Sequence, residues 1–194
     1  MSNLIYGFIG YRNHSKKLLT SFQKLTKGYY KVYIHNKKNL LKYTNTKNTN
    51  YTNNINDLRN CEIIVISSPS NTHFKYINFF KNKAKYIFCE KPGVVNKNEL
   101  NKIQKFSNDQ KKKIYFNFNY LHSDFFNILK KIITKKKYGK IINISINSTH
   151  GLSFKKNSAY LKKSDHKNVY NNIYGNLAIH YINLLLNIFG KIQI

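Results

Sequence analysis

The sequence predicts an α/β fold, a doubly wound parallel sheet followed by a truncated α+β second domain, and three observations support this. Apolar runs of strand length alternate with helical patterns through residues 1–120, and repeated strand-helix-strand units imply right-handed crossovers and a parallel sheet covered on both faces. Hydrophobic residues make up 41% of the 194 residues and aromatic ones 15%, spread along the whole chain, which supplies the apolar surface a full core requires. Residues 121–194 carry only one strand pattern, a polar stretch and helical segments, too few elements for a separate core. The expected division is therefore 1–120 and 121–194.

Leu4 to Ile9 reads as the first strand, and Ser15 to Leu25 as a helix with Leu18, Leu19, Phe22 and Leu25 on one face. Lys31 to Ile34 is a second short strand. The Thr/Asn-rich stretch from Tyr43 to Asn56 is poor in apolar residues and reads as a long connection. The strongest strand is Glu62 to Ser67 (EIIVIS), closed by Ser68-Pro69 and followed by a helix from Asn71 to Lys81. The strand Tyr86 to Cys89 ends at Glu90-Lys91-Pro92. A helix from Lys97 to Phe106, a strand from Lys113 to Asn119 and a helix from Asp124 to Ile133 come next. Beyond them Lys140 to Asn147 alternates as a half-exposed strand, Thr149 to Tyr170 is polar and irregular, and Asn172 to Phe189 is a helix.

The charge is extreme, +27 from 34 Lys+Arg against 7 Asp+Glu. Clustered cations would point to nucleic acid, because they release counterions from phosphate backbones. Here the lysines are dispersed among abundant Asn, Ile and Tyr, with dense runs only at Lys111 to Lys113 and Lys135 to Lys137. The expectation is no specific nucleic-acid partner, with non-specific binding as the outlying alternative. No run approaches the ~18 apolar residues of a membrane span, and no signal peptide is evident. A cytoplasmic protein without a membrane partner is expected. Cys61 and Cys89 have no metal-ligand spacing, so they read as buried core thiols and no metal site is expected.

In open parallel sheets ligands gather at the carboxyl ends of the strands. The first such loop contains Gly10-Tyr11-Arg12-Asn13-His14-Ser15. A dinucleotide fingerprint needs three glycines there, for a tight turn, for approach to pyrophosphate and for helix-sheet packing. Gly10 fits the first role, while Arg12 and Ser15 stand at the other two. The start of the following helix, with Asn13 and Ser15, offers free amides to an anion, and Arg12 either pairs a phosphate or blocks its approach. After the second strand the chain reads His35-Asn36-Lys37-Lys38. The missing carboxylate and the two cations Lys37 and Lys38 favour a 2′-phosphate and hence NADP over NAD, with Asn36 and Lys37 as the candidate contacts. Loop lysine of no functional weight is the competing reading.

The next two loops are more specific. Ser68-Pro69-Ser70-Asn71-Thr72-His73 and Glu90-Lys91-Pro92 lie after consecutive strands, and this pair of signatures resembles the glucose-fructose oxidoreductase/inositol dehydrogenase (Gfo/Idh/MocA) family. The resemblance implies a Rossmann-type cofactor domain, with Ser68, Pro69, His73, Glu90 and Lys91 near the cofactor. It extends to the last helix, where the family carries Asp-x-x-x-His. His180 matches the histidine and Asn176 stands where the aspartate is expected. Asn176, His180 and Asn183 are spaced to share one helix face.

The resemblance implies an NAD(P)-dependent oxidoreductase acting on a sugar, cyclitol or related polyol. Lys91 would stabilise alkoxide character and His180 would act as base, on opposite walls of one cleft. A homo-oligomer is expected if the second domain is complete. None of the seven acidic residues falls at position 176, and two fingerprint glycines are missing. A cofactor-binding but catalytically impaired fragment or diverged copy is therefore the alternative.

Overall fold

The computed structural model describes residues 4–136, 138–148 and 177–190. By contact the chain divides into two compact units, Met1–Asn117 and Phe118–Ile194.

In the first unit β1 (Leu4–Ile9), β2 (Gly28–Tyr33), β3 (Thr49–Thr52), β4 (Ile63–Ile66), β5 (Tyr86–Cys89) and β6 (Ile114–Phe116) form one sheet. Its order is β3-β2-β1-β4-β5-β6, and every pairing is parallel. Strand order reverses between β1 and β4, so a crevice opens at their carboxyl ends, which is where such sheets bind ligands. The helices are α1 (Asn13–Leu25), the one-turn α2 (Lys37–Leu40), α3 (His73–Phe80), α4 (Lys97–Gln104) and α5 (Asn108–Lys112).

Side chains alternate across the sheet, so each strand feeds both faces. One face gathers Ile9, Leu58, Ile64, Ile66, Ile87 and Cys89 under Ile77 and Phe80 of α3. The other gathers Tyr6, Phe8, Tyr30, Val32 and Val65 under Leu19 of α1. Leu18 and Phe22 pack against that second cluster as the helical spacing predicts, whereas Leu25 is 83% exposed.

Three expectations about the elements need correction. The Tyr43–Asn56 connection contains β3, which pairs with β2 from Tyr30↔Thr49 to Tyr33↔Thr52. An edge strand needs only one neighbour, so TNYT forms without the apolar content of a central strand. The segment before β6 contains α5, opened by a capping box between Ser107 and Gln110 and ending on Lys113 as its C-cap, and a 3-10 turn over Asn119–His122 follows, so the strand expected over Lys113–Asn119 comprises only Ile114–Phe116.

The third correction concerns Lys140–Asn147, which is described without strand assignment. A strand exists only through its ladder, and among the described residues no segment pairs with this one. Its isoleucines remain accessible, Ile142 at 96%.

The second unit contains α6 (Asp124–Thr134), capped by the Ser123 hydroxyl, and α7 (Ile179–Phe189). The start of the helix expected from Asn172, Asn176 included, and the polar stretch Thr149–Tyr170 lie outside the described residues. Among the described residues no helix is long and apolar enough to cross a membrane, and no group of three His, Cys, Asp or Glu is placed to hold a metal ion.

Candidate cofactor site

The site begins where β1 ends. Gly10 adopts φ +93°, and a Cβ there would stand 2.9 Å from both Cα and N of Ser68. Glycine is required on both counts, since L side chains rarely adopt that conformation and no space exists for one. The Gly10 amide donates to the Tyr33 carbonyl at 3.1 Å, which ties the turn to the end of β2. Ser15, in the first turn of α1, is fully buried and its hydroxyl donates to the Gly10 carbonyl at 2.6 Å. A small side chain thus takes the packing place of the third fingerprint glycine and locks the turn as well.

A cavity of about 610 Å³ opens at the ends of β1, β2 and β4. Gly10, Tyr11 and Arg12 line it from the first loop. His35, Asn36, Asn39, Lys42 and Tyr43 line it from the second, and Ser67, Ser68, Pro69, Thr72, Lys75 and Tyr76 from the third. Arg12, Lys42 and Lys75 bring three cations to this lining, which holds no carboxylate. Lys37 and Asn13 are exposed and are not part of it. Asn36 lines the cavity and also caps α2 by accepting from the Asn39 amide.

The Ser67 hydroxyl oxygen is buried without a hydrogen-bond partner among the described residues, although it lies in the wall of this cavity. A buried unsatisfied hydroxyl is costly, and a polar ligand would satisfy it. The glycine turn, the cationic lining and this hydroxyl together fit a dinucleotide at the reversal of strand order.

An aromatic cluster forms one wall. The Tyr11 and Tyr51 hydroxyls are 3.1 Å apart, and the rings of Tyr43 and Tyr51 stack at 5.2 Å. The Lys16 ammonium lies 5.4 Å from the Tyr11 ring and 5.0 Å from that of Tyr43. Burial, followed by the Tyr51 hydrogen bond, pushes the Tyr11 phenol well above its ordinary range.

The Glu90-Lys91-Pro92 segment follows β5, with a cis peptide bond between Lys91 and Pro92. One Glu90 carboxylate oxygen lies 2.8 Å from His14 Nε2 and accepts from the Asn117 amide at 2.6 Å. Lys91 is half-buried, and burial lowers the basicity of its amine while Glu90 partly restores it. His73, expected beside the cofactor, is 2% exposed and stands behind the loops. Its Nδ1 is 2.7 Å from the Pro92 carbonyl and its Nε2 2.7 Å from that of Ser68.

In the second unit His180 is buried in α7, its ring stacked on Tyr120 at 4.7 Å and edge-on to Phe118 at 6.4 Å. Lys91 belongs to the first unit and His180 to the second.

Sequence reasoning missed Ser67, Lys42, Lys75, Tyr43, His14 and Asn117. Only Ser67 and His14 had a signal, as immediate neighbours of recognised motifs.

Comparison with known proteins identifies the family and the fold. A family model described as an oxidoreductase family with an NAD-binding Rossmann fold matches residues 4–118. The chain is 26% identical over 166 residues to glucose-6-phosphate 3-dehydrogenase of Bacillus subtilis, covering 81% of this chain and 45% of that protein. It is 30% identical over 87 residues to inositol 2-dehydrogenase of Rhizobium meliloti, covering 45% of this chain and 26% of that one. The chain thus spans less than half the length of these relatives.

Among solved structures, myo-inositol 2-dehydrogenase from Lactobacillus plantarum aligns with a TM-score of 0.74 at 20% identity, over 97% of this chain and 57% of that one. The WlbA dehydrogenase from Bordetella pertussis, in complex with NADH and UDP-GlcNAcA, aligns with a TM-score of 0.77 at 15% identity, over 98% and 56%. At these identities the likeness concerns the fold. With the family model covering more than half of the sequence, the chain belongs to the Gfo/Idh/MocA oxidoreductase family through its NAD-binding Rossmann domain.

Proposed function

We propose that the chain is the cofactor-binding part of an NAD(P)-dependent oxidoreductase acting on a sugar, cyclitol or related polyol, with NADP preferred over NAD. The observation that carries this reading is the cavity at the ends of β1, β2 and β4, built on the Gly10 turn and lined by Arg12, Lys42 and Lys75 without a carboxylate. Cations there suit a 2′-phosphate, whereas the ribose hydroxyls of NAD are ordinarily bonded by an acidic residue. The substrate class rests on the relatives, which are named for glucose 6-phosphate and inositol.

The nicotinamide of a bound cofactor supplies hydride chemistry. What falls to the chain is binding, orientation and the proton. Arg12 would pair the cofactor's phosphate and the Ser67 hydroxyl would give it a hydrogen bond. Lys91, its ammonium weakened by burial, is the first unit's candidate for stabilising a reacting hydroxyl, and His180 is the base that the family resemblance implies. Asn176 cannot take a proton or hold an imidazolium by charge as an aspartate would, so turnover is slow. That substitution, with Arg12 in place of a fingerprint glycine, favours the second reading, a copy that binds cofactor without efficient catalysis.

The test is to incubate the full chain with NADP or NAD and a panel of cyclitols, aldoses and sugar phosphates while following formation of the reduced cofactor. Slow, NADP-preferring turnover of one class supports the proposal. Cofactor binding without turnover supports the impaired copy, and neither binding nor turnover overturns both.

A further inference from the structure

We propose that His14 is a positioning residue for Lys91: through Glu90 it straps the turn at the mouth of the cofactor cavity to the loop that carries Lys91. His14 Nε2 lies 2.8 Å from Glu90 Oε1, a contact that spans 76 positions of sequence. In the sheet β4 stands between β1 and β5, and β1 pairs with β2 and β4. Among the described residues, therefore, no ladder bond joins the loop after β1 to the loop after β5. The His14–Glu90 contact reaches past β4 and makes that connection.

Each end of the strap is held. His14 is the second residue of α1. It lies between Arg12, which lines the cavity, and Ser15, whose buried hydroxyl donates to the Gly10 carbonyl at 2.6 Å. Ser15 ties the helix start to the glycine turn, so His14 keeps station with that turn. At the other end the Asn117 side-chain amide donates to the same oxygen, Glu90 Oε1, at 2.6 Å. The Asn117 backbone amide donates to the Cys89 carbonyl at 2.9 Å, and the Glu90 amide to the Ile66 carbonyl at 2.8 Å. The carboxylate is thus gripped from the start of α1 and from the end of β6.

The strap does not depend on the charge of the ring. A carboxylate only accepts, and an Nε2–H donates to it from the neutral tautomer as well as from the imidazolium. Lys91 directly follows Glu90, and the Glu90 charge is the influence that opposes burial at the Lys91 amine. Where the carboxylate is held therefore bears on both the setting and the basicity of Lys91. The His14 side chain is 60% exposed and that of Glu90 14%, so the contact adds little to global stability and its effect is local. The consequence for turnover rests on the oxidoreductase reading. The strap itself does not.

The experiment is amide hydrogen exchange of the full chain without cofactor, compared among the parent, H14A and H14Q. A glutamine amide can donate roughly where Nε2 does, so H14Q is the rescue. In H14A the Glu90 and Asn117 amides should exchange about two- to fivefold faster, the size that one partly exposed ion pair supports. The unfolding midpoint and the exchange of β1 should stay parental, and H14Q should restore the parental rates at Glu90 and Asn117. Parental exchange at both amides in H14A would overturn the proposal.

Turnover reads the positioning role. With NADPH affinity kept to within about twofold, kcat should be about tenfold lower in H14A, since small misplacements of a reacting group carry costs of this order or more. H14Q should recover most of it. Full turnover in H14A would remove the positioning role. If the parent chain has no turnover, the oxidoreductase reading fails, and the exchange comparison still decides whether His14 holds the Glu90 loop.

Discussion

Gly10 and Ser68 lie in backbone contact across the mouth of the sheet, so close that any side chain on Gly10 would stand 2.9 Å from Ser68 Cα. This contact brings the first and third loops together around the cavity. Gly10→Ala must relieve both the clash and a φ of +93°, a strained conformation of a kind that costs about 1–3 kcal/mol. Denaturant unfolding should show a loss of that order, and NADPH titration should show weaker binding. A variant with parental stability would mean that the turn relaxes without cost.

Lys91 is predicted to trade stability for function. Burial lowers its amine below the ordinary 10.5, with Glu90 partly opposing. Between the lowered value and 10.5 the unfolded chain binds more protons than the folded one, so this residue makes stability rise with pH across that window. Below it, the cost of burying the ammonium is present in full. Lys91→Met should therefore raise Tm at neutral pH and flatten the alkaline rise, while removing turnover and sparing cofactor affinity. A lower Tm at neutral pH would show that Lys91 is net stabilising where it stands.

Asn176→Asp should raise turnover by supplying a carboxylate partner for His180. General acid-base groups contribute about 10² to 10⁴ in rate, and initial rates on the preferred polyol measure the gain. An unchanged rate would detach position 176 from the chemistry.

The two thiols are predicted to be inert. Cys61 is 2% exposed and Cys89 0%. Burial pushes the Cys61 thiol up to about 11, with Lys31 opposing, and burial, followed by Glu90, raises that of Cys89 well above the ordinary thiol value. The thiolate is the reactive form. A disulfide reagent at neutral pH should label neither in the folded chain and both after unfolding.

Much of this architecture is legible in the sequence because the central strands are apolar on both faces. The bounds of β5 follow from YIFC alone, and Ser68-Pro69 marks the end of β4. At the edge, TNYT in β3 is stabilised by pairing with β2 rather than by apolar content, so periodicity does not reveal it. The five residues of α5 are too few for a helical period to show.

Within the site, the loops were legible and the directions of their side chains were not. Lys37 and Lys42 are equally cationic in the sequence, and only the fold brings Lys42 to the cavity. Ser15 stands at a fingerprint position and turns inward to the Gly10 carbonyl. His73 sits in a recognised motif, yet its ring is committed to two backbone carbonyls behind the loops.

The most direct measurement is calorimetric titration of NADPH and NADH into the full chain and into Arg12→Ala. The parent chain should bind both cofactors weakly, NADPH the more tightly. Arg12→Ala should lose about 10- to 100-fold for NADPH and much less for NADH, as expected for one charged hydrogen-bonding partner of a phosphate. No heat of binding with either cofactor would contradict the assignment of this cavity as a dinucleotide site.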